Sequence, residues 1–154
     1  MSVEILSISR RPTRWVRSAI EDYLGRFPIH AAPKLTYLAP APGKMSTRVK
    51  LVREAKSVLG KVSDKDFLVV MDVAGIMLNN EFLARKLEDF HANETNLKLV
   101  LGGAEGLDES VKRRAKESWS VSRLILPHKI VQILVLEQLY RTYSISVGHP
   151  YHRC

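Results

Sequence analysis

Residues 97–153 read LKLVLGGAEGLDESVKRRAKESWSVSRLILPHKIVQILVLEQLYRTYSISVGHPYHR, and this stretch contains most of the chemically informative side chains of the chain. Its first five residues are typical of a buried strand, because four of them are apolar. The strand runs directly into GGAEG, residues 102–106. Glycines in that position indicate that a ligand or another stretch of backbone comes very close.

A second apolar run, LIL at residues 124–126, ends at Pro127 and His128. The pattern predicts a fifth strand over about 121–126 and then a helix over about 129–143. That helix is apolar most of the way round, which is typical of a helix buried on more than one side. A core position in a small protein and contact with a second subunit both explain this pattern.

Upstream of this stretch, strands and helices alternate. Strands are predicted over residues 3–9, 34–38 and 66–72, the last a near-continuous apolar run of the kind that is covered on both faces. Asp72 ends that strand, where open α/β sheets place their ligands. We therefore expect one α/β domain over residues 1–154, with a mainly parallel sheet and helices on both faces.

Two upstream helices carry informative patterns. The first has apolar residues at helical spacing, which predicts a buried stripe: Trp15, Val16, Ala19, Ile20, Tyr23 and Leu24. The second, over about 48–59, has a predicted buried stripe of Leu51, Val52, Ala55, Val58 and Leu59. Its outer side carries cations with only Glu54 among them: Lys44, Arg48, Lys50, Arg53, Lys56 and Lys61. Such a face is either solvated or in contact with RNA phosphates.

The composition is that of a globular cytoplasmic protein. The chain has 154 residues, 45% of them hydrophobic and 26% charged, and its single cysteine is Cys154. No run approaches the length of a membrane span, and no signal peptide precedes the first strand. One cysteine permits no intrachain disulfide, so we expect a cytoplasmic protein without a membrane partner.

The net charge of +8 favours a polyanionic partner, because neutralising phosphates releases counterions. The glycine cluster is not the GxGxxG dinucleotide fingerprint, and no Walker lysine follows it. The histidines His128, His149 and His152 have no paired metal-ligand spacing, so no metal is expected.

Five motifs in order, GGAEG, Trp119, LPH, LEQLYR and HPYHR, resemble the RlmH (YbeA) family of SPOUT-class methyltransferases. The resemblance is dense over residues 66–153 and thinner before them, where YLGRFP at residues 23–28 also fits. It implies a trefoil knot and cofactor loops within about residues 66–154. It also implies a homodimer with the last long helix at its interface.

By the same resemblance, the activity is methyl transfer from S-adenosylmethionine to N3 of a pseudouridine in 23S ribosomal RNA of the assembled ribosome. A neutral adenine is best recognised by main-chain groups and apolar walls. The cofactor-binding residues are then expected to be Met71, Asp72, Gly102, Gly103, Ser122, Arg123, Leu124, Ile125, Leu126 and Pro127. Without the resemblance, the glycines would be interpreted as a tight turn and the LIL run as a core strand.

The transfer requires N3 to lose its proton, so a base or an anion-stabilising group is expected near the methyl group. Candidate catalytic residues are Glu105, His128, Tyr151, His152 and Arg153, with Arg141 as a further holder of phosphate or of the developing anion. Glu105 is interpreted as either catalytic or a clasp that closes its loop. Three residues depart from the expected family pattern: Ala104 for proline, Gln132 for arginine and Ile76 for lysine.

Two other functions compete with this one. A non-catalytic basic module that binds ribosomal RNA explains the charge and the basic helix, but not the glycine loop, LPH or the tail. A nucleotide-binding oxidoreductase of Rossmann type is disfavoured, because the fingerprint is missing.

Overall fold

The computed structural model describes residues 1–153, with side chains described through Tyr151. The elements, in order, are β1 (Val3–Ile8), α1 (Arg14–Arg26), β2 (Lys34–Leu38), α2 (Thr47–Leu59), β3 (Asp66–Met77), α3 (Asn80–Ala92), β4 (Asn96–Leu101), α4 (Glu109–Arg114), β5 (Glu117–Ser120) and α5 (His128–Ser146). A short 3-10 helix, Pro150–Arg153, follows α5.

The five strands form one sheet in the order β2-β1-β4-β3-β5, and every neighbouring pair is parallel. Consecutive strand residues face opposite sides, so Val69 lies in one hydrophobic cluster and Val70 in the other. Helices α1, α3 and α5 cover the first cluster, and α2 and α4 cover the second. The predicted α/β class, with its parallel sheet and helices on both faces, is confirmed.

The fifth strand is not where hydrophobic patterning placed it. Residues 121–126 form no strand, and Leu124 and Ile125 are 72% and 91% exposed. The strand is Glu117–Ser120 instead, anchored by the fully buried Trp119. The Trp119 indole donates to Glu117 Oε2 at 2.6 Å, and Lys86 pairs with the same carboxylate. The ion pair with Lys86, 31 residues earlier in the chain, stabilises a strand that the local sequence, ESWS, does not predict.

Three predictions of burial or exposure on the helices are wrong. Val52, predicted to be buried, is 43% exposed, whereas Glu54, predicted on the outer basic side, is only 6% exposed. Glu54 Oε1 accepts from the main-chain N–H of Ala41 at 2.8 Å, which turns the carboxylate inward. Trp15, predicted in the buried stripe of α1, is 57% exposed.

The trefoil knot and the assignment of residues 1–154 to one SPOUT domain stay predictions from the resemblance. Within residues 1–153, no helix has the length and apolar character that a bilayer crossing demands.

A polar cluster joins β2, β1 and β4, three neighbouring strands of the sheet. Glu4 on β1 is opposite Lys34 on β2 and Lys98 on β4. Its carboxylate pairs with Lys34 at 3.1 Å and with Lys98, and it accepts from Thr36 at 2.6 Å. Burial alone would raise the pKa of Glu4, but hydrogen bonds from Lys98, Thr36 and Lys34 lower it to about 2. The ionised carboxylate therefore stabilises the sheet.

Replacing Glu4 by glutamine should lower the free energy of unfolding at pH 7 by about 3 kcal/mol, since each pKa unit is worth about 1.4 kcal/mol. The pKa in the folded state lies below the ordinary 4.5, so the contribution is present above pH 4.5 and disappears as the pH falls toward 2. Urea unfolding of the wild type and Glu4→Gln between pH 7 and pH 2.5 measures this contribution. Lys34→Gln is the control, since its side chain is 73% exposed and should cost under about 1 kcal/mol. A Glu4→Gln effect equal at pH 7 and at pH 2.5 would contradict this origin.

Candidate functional site

Three loops meet at the carboxyl side of the sheet, because β4, β3 and β5 are adjacent and parallel, β4 and β5 end there, and β3 is interrupted there by a bulge. We call them the glycine loop (residues 102–106), the β3 bulge (residues 72–75) and the apolar loop (residues 121–127). They contain nine of the ten predicted cofactor-binding residues, and Met71 directly precedes the bulge. The expected residues are therefore brought to one place by topology alone.

The glycine loop turns back on itself. Gly103 and Gly106 form an isolated antiparallel bridge, and Gly106 has a φ of +86°, which favours glycine. A Cβ on Gly102 would lie 2.9 Å from the Leu107 side chain and 3.0 Å from the Gly106 carbonyl oxygen. The absence of a side chain at Gly102 therefore lets the loop fold tightly back on itself.

At the bulge, β3 continues past the sheet edge instead of ending. Met71 and Ile76 both pair with Trp119, and the register shifts between them. A Cβ on Gly75 would lie 2.7 Å from the backbone of Ser118 and Trp119, so this crossing requires glycine. Asp72 Oδ1 accepts from the main-chain N–H of Ala74 at 2.9 Å and so supports the bulge. The Met71 side chain is half-buried against the core.

The apolar loop is tied to the bulge by Arg123. Its guanidinium donates from Nη1 to the carbonyl oxygen of Gly75 at 2.9 Å and also to that of Val73. Ser122 Oγ accepts from the N–H of Leu124 at 2.9 Å, and Ser120 Oγ donates to the Ser122 carbonyl at 2.8 Å. These contacts hold the loop open, with Leu124 and Ile125 exposed. Arg123 is thus a strut between two loops.

Several main-chain N–H groups at this edge are available to a ligand. Among residues 1–153, those of Ala104 and Glu105 in the glycine loop, and of Ile125 and Leu126 in the apolar loop, find no acceptor. Such donors need a partner unless water supplies it. Donors beside exposed leucine and isoleucine side chains form the combination that a neutral heterocycle requires.

His128 joins the glycine loop to β1. Its Nε2 is 2.8 Å from Ser7 Oγ and 3.0 Å from Gln132 Nε2, and Gln132 also donates to Ser9 Oγ at 3.2 Å. Burial lowers the pKa of His128, although a hydrogen bond with the Gly102 backbone acts in the opposite direction. The imidazole is therefore neutral at physiological pH. Because Nε2 is already engaged, the geometry favours a positioning role over proton transfer.

Glu105 lies at the tip of the glycine loop and pairs with Lys50 of α2 at 3.5 Å. This contact supports the loop-clasp interpretation of Glu105. Glu54 approaches the same loop from the α2 side of the sheet, and its Oε2 would lie 3.3 Å from a Cβ on Gly103. Glu54 Oε2 and Gln132 Oε1 are both buried and have no hydrogen-bond partner within the described chain.

The tail packs elsewhere on the same chain. The Tyr151 hydroxyl donates to Glu137 Oε1 at 3.1 Å, and its ring lies 4.9 Å from Tyr140 and 5.0 Å from the Arg141 guanidinium. Burial, together with hydrogen bonds to Tyr23 and Glu137, raises the pKa of Tyr151 to about 12. Its hydroxyl therefore keeps its proton at neutral pH, which disfavours Tyr151 as a general base.

Within one chain, Tyr151 contacts α5 at a point well along the helix from His128. Glu137 comes nine residues after His128 on α5, which is about 13 Å along the helix axis. The predicted catalytic side chains of His152 and Arg153 lie outside the described side chains. Arg141 is paired with Glu137 at 2.8 Å and belongs to the tail contact.

Sequence reasoning missed Ser7, Ser9 and Glu54 as parts of the site. Ser7 interrupts the apolar end of β1, and Ser9 directly follows the strand at its carboxyl end, which was a usable signal. The buried position of Glu54 had no local signal, because its partner Ala41 lies in a loop. Among the described residues, no group of His, Cys, Asp and Glu could hold a metal ion.

Comparisons with known proteins agree on one family. Residues 1–152 match the family model described as "Predicted SPOUT methyltransferase". A Francisella philomiragia protein named "Ribosomal RNA large subunit methyltransferase H" is 38% identical over 155 residues, covering 99% of this chain and 100% of the relative. Proteins of the same name from Dichelobacter nodosus and Saccharophagus degradans are 36% and 32% identical. These two alignments cover 99% of this chain, and 99% and 100% of the relatives.

Gly75→Ala should destabilise the protein by about 2 kcal/mol, because the added methyl group overlaps main chain that cannot move aside easily. Gly25→Ala is the matched control. Nothing lies within 4 Å of the place that a Cβ on Gly25 would occupy, and alanine in a helix is preferred by up to about 1 kcal/mol. Thermal and urea unfolding of both variants measure the difference. Equal stabilities would show that β3 and β5 do not approach each other closely enough to require glycine.

Proposed function

The chain belongs to the SPOUT methyltransferase family, and on this premise we propose that it transfers a methyl group from S-adenosylmethionine to the RNA of the large ribosomal subunit. Following the resemblance, the proposed acceptor is N3 of a pseudouridine in 23S ribosomal RNA within the assembled ribosome. The reaction is proposed to take place in the cytoplasm.

The observation that carries the proposal is the meeting of the glycine loop, the β3 bulge and the apolar loop at one sheet edge. The edge fits the proposed donor. Unpaired N–H groups and exposed hydrocarbon suit a neutral adenine. Gly102 and Gly103 let the loop pack tightly against Leu107, Ile8 and Glu54, where a Cβ would collide or crowd. The residues proposed to hold the donor are Gly102, Gly103, Leu124, Ile125 and Leu126 through their main chain. Met71, Asp72, Ser122, Arg123 and Pro127 are proposed to shape the loops around it.

When bound, S-adenosylmethionine supplies an electrophilic methyl group on a sulfonium, so the protein needs no metal to activate it. The chain has to align the acceptor nitrogen with that methyl group and exclude water, and alignment of this kind supplies much of the rate. The neutral His128 is proposed to fix the glycine loop through Gly102. Glu105 and His152 are the proposed candidates for accepting the N3 proton, with Arg153 stabilising the anion that results.

A homodimer is proposed to complete the site. Tyr151 contacts Glu137, about 13 Å along α5 from His128, while α5 keeps partly exposed apolar residues, including Val131, Ile133 and Leu134. A second subunit packed there covers these residues, and the proposed arrangement brings His152 and Arg153 of one subunit to the loops of the other.

The basic helices are proposed to contact ribosomal RNA phosphates. Helices α2 and α4 pack on the same face of the sheet and contact each other. Their exposed cations, Arg48, Arg53, Lys56, Lys112 and Arg113, therefore form one positive surface. This surface starts beside the glycine loop, because Lys50 of α2 pairs with Glu105.

Purified protein incubated with methyl-labelled S-adenosylmethionine and large subunits or whole ribosomes from a strain lacking the gene should label the 23S RNA. Gly102→Ala should reduce the labelling by at least about tenfold, since the added group displaces the loop main chain. Gly25→Ala should leave it unchanged. RNA that binds the protein but gains no label would indicate a non-catalytic RNA-binding module instead.

Mixed dimers test the shared site. A Gly102→Ala subunit, which keeps its tail, is combined with a subunit carrying His152→Ala and Arg153→Ala, which keeps its loops. If one subunit's tail serves the other's loops, the mixed dimer has one intact site and labels RNA, whereas each homodimer does not. If mixed dimers are as inactive as the homodimers, the tail acts within its own chain.

A further inference from the structure

Trp15 is the most conspicuous exposed aromatic side chain at the start of α1. It is 57% exposed, although its neighbour Val16 is fully buried and Ile20 is 4% exposed. Trp119, the second tryptophan of the chain, is completely buried. No aromatic or cation–ring contact involves Trp15 among the described side chains. A large flat ring left open in this way is available to a partner.

The surroundings of Trp15 are strongly cationic. The segment 9–20, SRRPTRWVRSAI, contains four arginines and no acidic residue. Arg10, Arg11 and Arg14 are exposed, and none of them forms an ion pair within the described part of the chain. The first turn of α1 also has no acidic residue, and Thr13 makes no side-chain cap. The charge around the ring is therefore uncompensated.

This segment is attached to the candidate site. It begins at Ser9, which accepts from Gln132 and so belongs to the cluster around His128. Five residues lie between Ser9 and Trp15, and the six residue steps span at most about 20 Å in an extended chain. The segment thus leaves β1 at the carboxyl side of the sheet, the same side on which the glycine loop follows the neighbouring strand β4.

We infer that Trp15 is a stacking platform for an unpaired RNA base close to the target nucleotide, with Arg10, Arg11 and Arg14 holding the adjoining phosphates. The inference rests on the proposed function and adds a subsite to it. An indole stacks on any base, and arginine pairs with phosphate oxygens in a fixed fork. Proteins that read RNA take single-stranded, unstacked bases in this manner.

A second copy of this chain is a poorer occupant of the same surface. A symmetric contact centred on Trp15 would place Arg14 and Arg17 of one copy against the same arginines of the other. Like charges in contact are unfavourable, whereas an RNA strand neutralises them and releases counterions. Charge complementarity therefore selects the nucleic acid.

The test uses the full chain and a single-stranded oligouridine at low salt, with tryptophan fluorescence and anisotropy as readouts. Stacking should quench the emission of Trp15, while the buried Trp119 gives an unchanged background. Trp15→Leu should weaken binding roughly tenfold and Trp15→Tyr only slightly, since tyrosine also stacks. Arg14→Gln should lower the slope of log affinity against log salt by about one, and Arg85→Gln on α3, the control, should not.

Three results would overturn the inference: no binding of oligouridine, equal binding by Trp15→Leu and the wild type, or emission that changes with protein concentration before RNA is added. The last would assign the surface to a second copy. Methyl transfer to ribosomes is measured in parallel. Transfer by the wild type with unchanged Trp15→Leu binding removes only this subsite. Quenching without transfer removes only the proposed methyltransferase function.

Discussion

The close approach of two main chains at Gly75 is the constraint on which the site depends. A side chain there would collide with the backbone of Ser118 and Trp119 at 2.7 Å. With glycine, β3 crosses beside β5, bulges, and pairs with Trp119 on both sides of the bulge. The carbonyl groups turned out at the bulge are taken up by Arg123, which fixes the apolar loop. One missing Cβ thus places two loops next to the glycine loop.

Buried and half-buried polar groups flank the glycine loop from both faces of the sheet. From the α5 side come His128 and Gln132, and from the α2 side comes Glu54. Two oxygens in this set, Gln132 Oε1 and Glu54 Oε2, are buried without a partner in the described chain. Such groups are costly, and proteins tolerate them where function requires the arrangement. The unpaired buried oxygens beside the glycine loop therefore agree with its proposed role in holding the methyl donor.

Hydrophobic patterning predicted the sheet class, four of the five strands and helices α1, α2 and α5, because apolar residues at regular spacing report burial directly. It failed for β5, where the short LIL run looked like a strand and ESWS did not. Trp119 and Glu117 form that strand through Lys86, a partner 31 residues away. The contact of Ser7 with His128 spans 121 residues, and no local pattern encodes it. The loops were predicted as candidates, but the supporting roles of Arg123, Glu54, Ser7 and Ser9 could be assigned only from the fold.

The central claim is that the three loops at the carboxyl edge of the sheet hold the methyl donor. Backbone amide chemical shifts, followed by NMR while S-adenosylmethionine is added, test it most directly. The account predicts the largest shifts at Gly102, Gly103, Ile125 and Leu126. A cavity of about 550 Å³ lies at the opposite, amino end of the strands, between Met1, Pro33 and Leu139. Shifts confined to the residues around that cavity, with the three loops unchanged, would contradict the account.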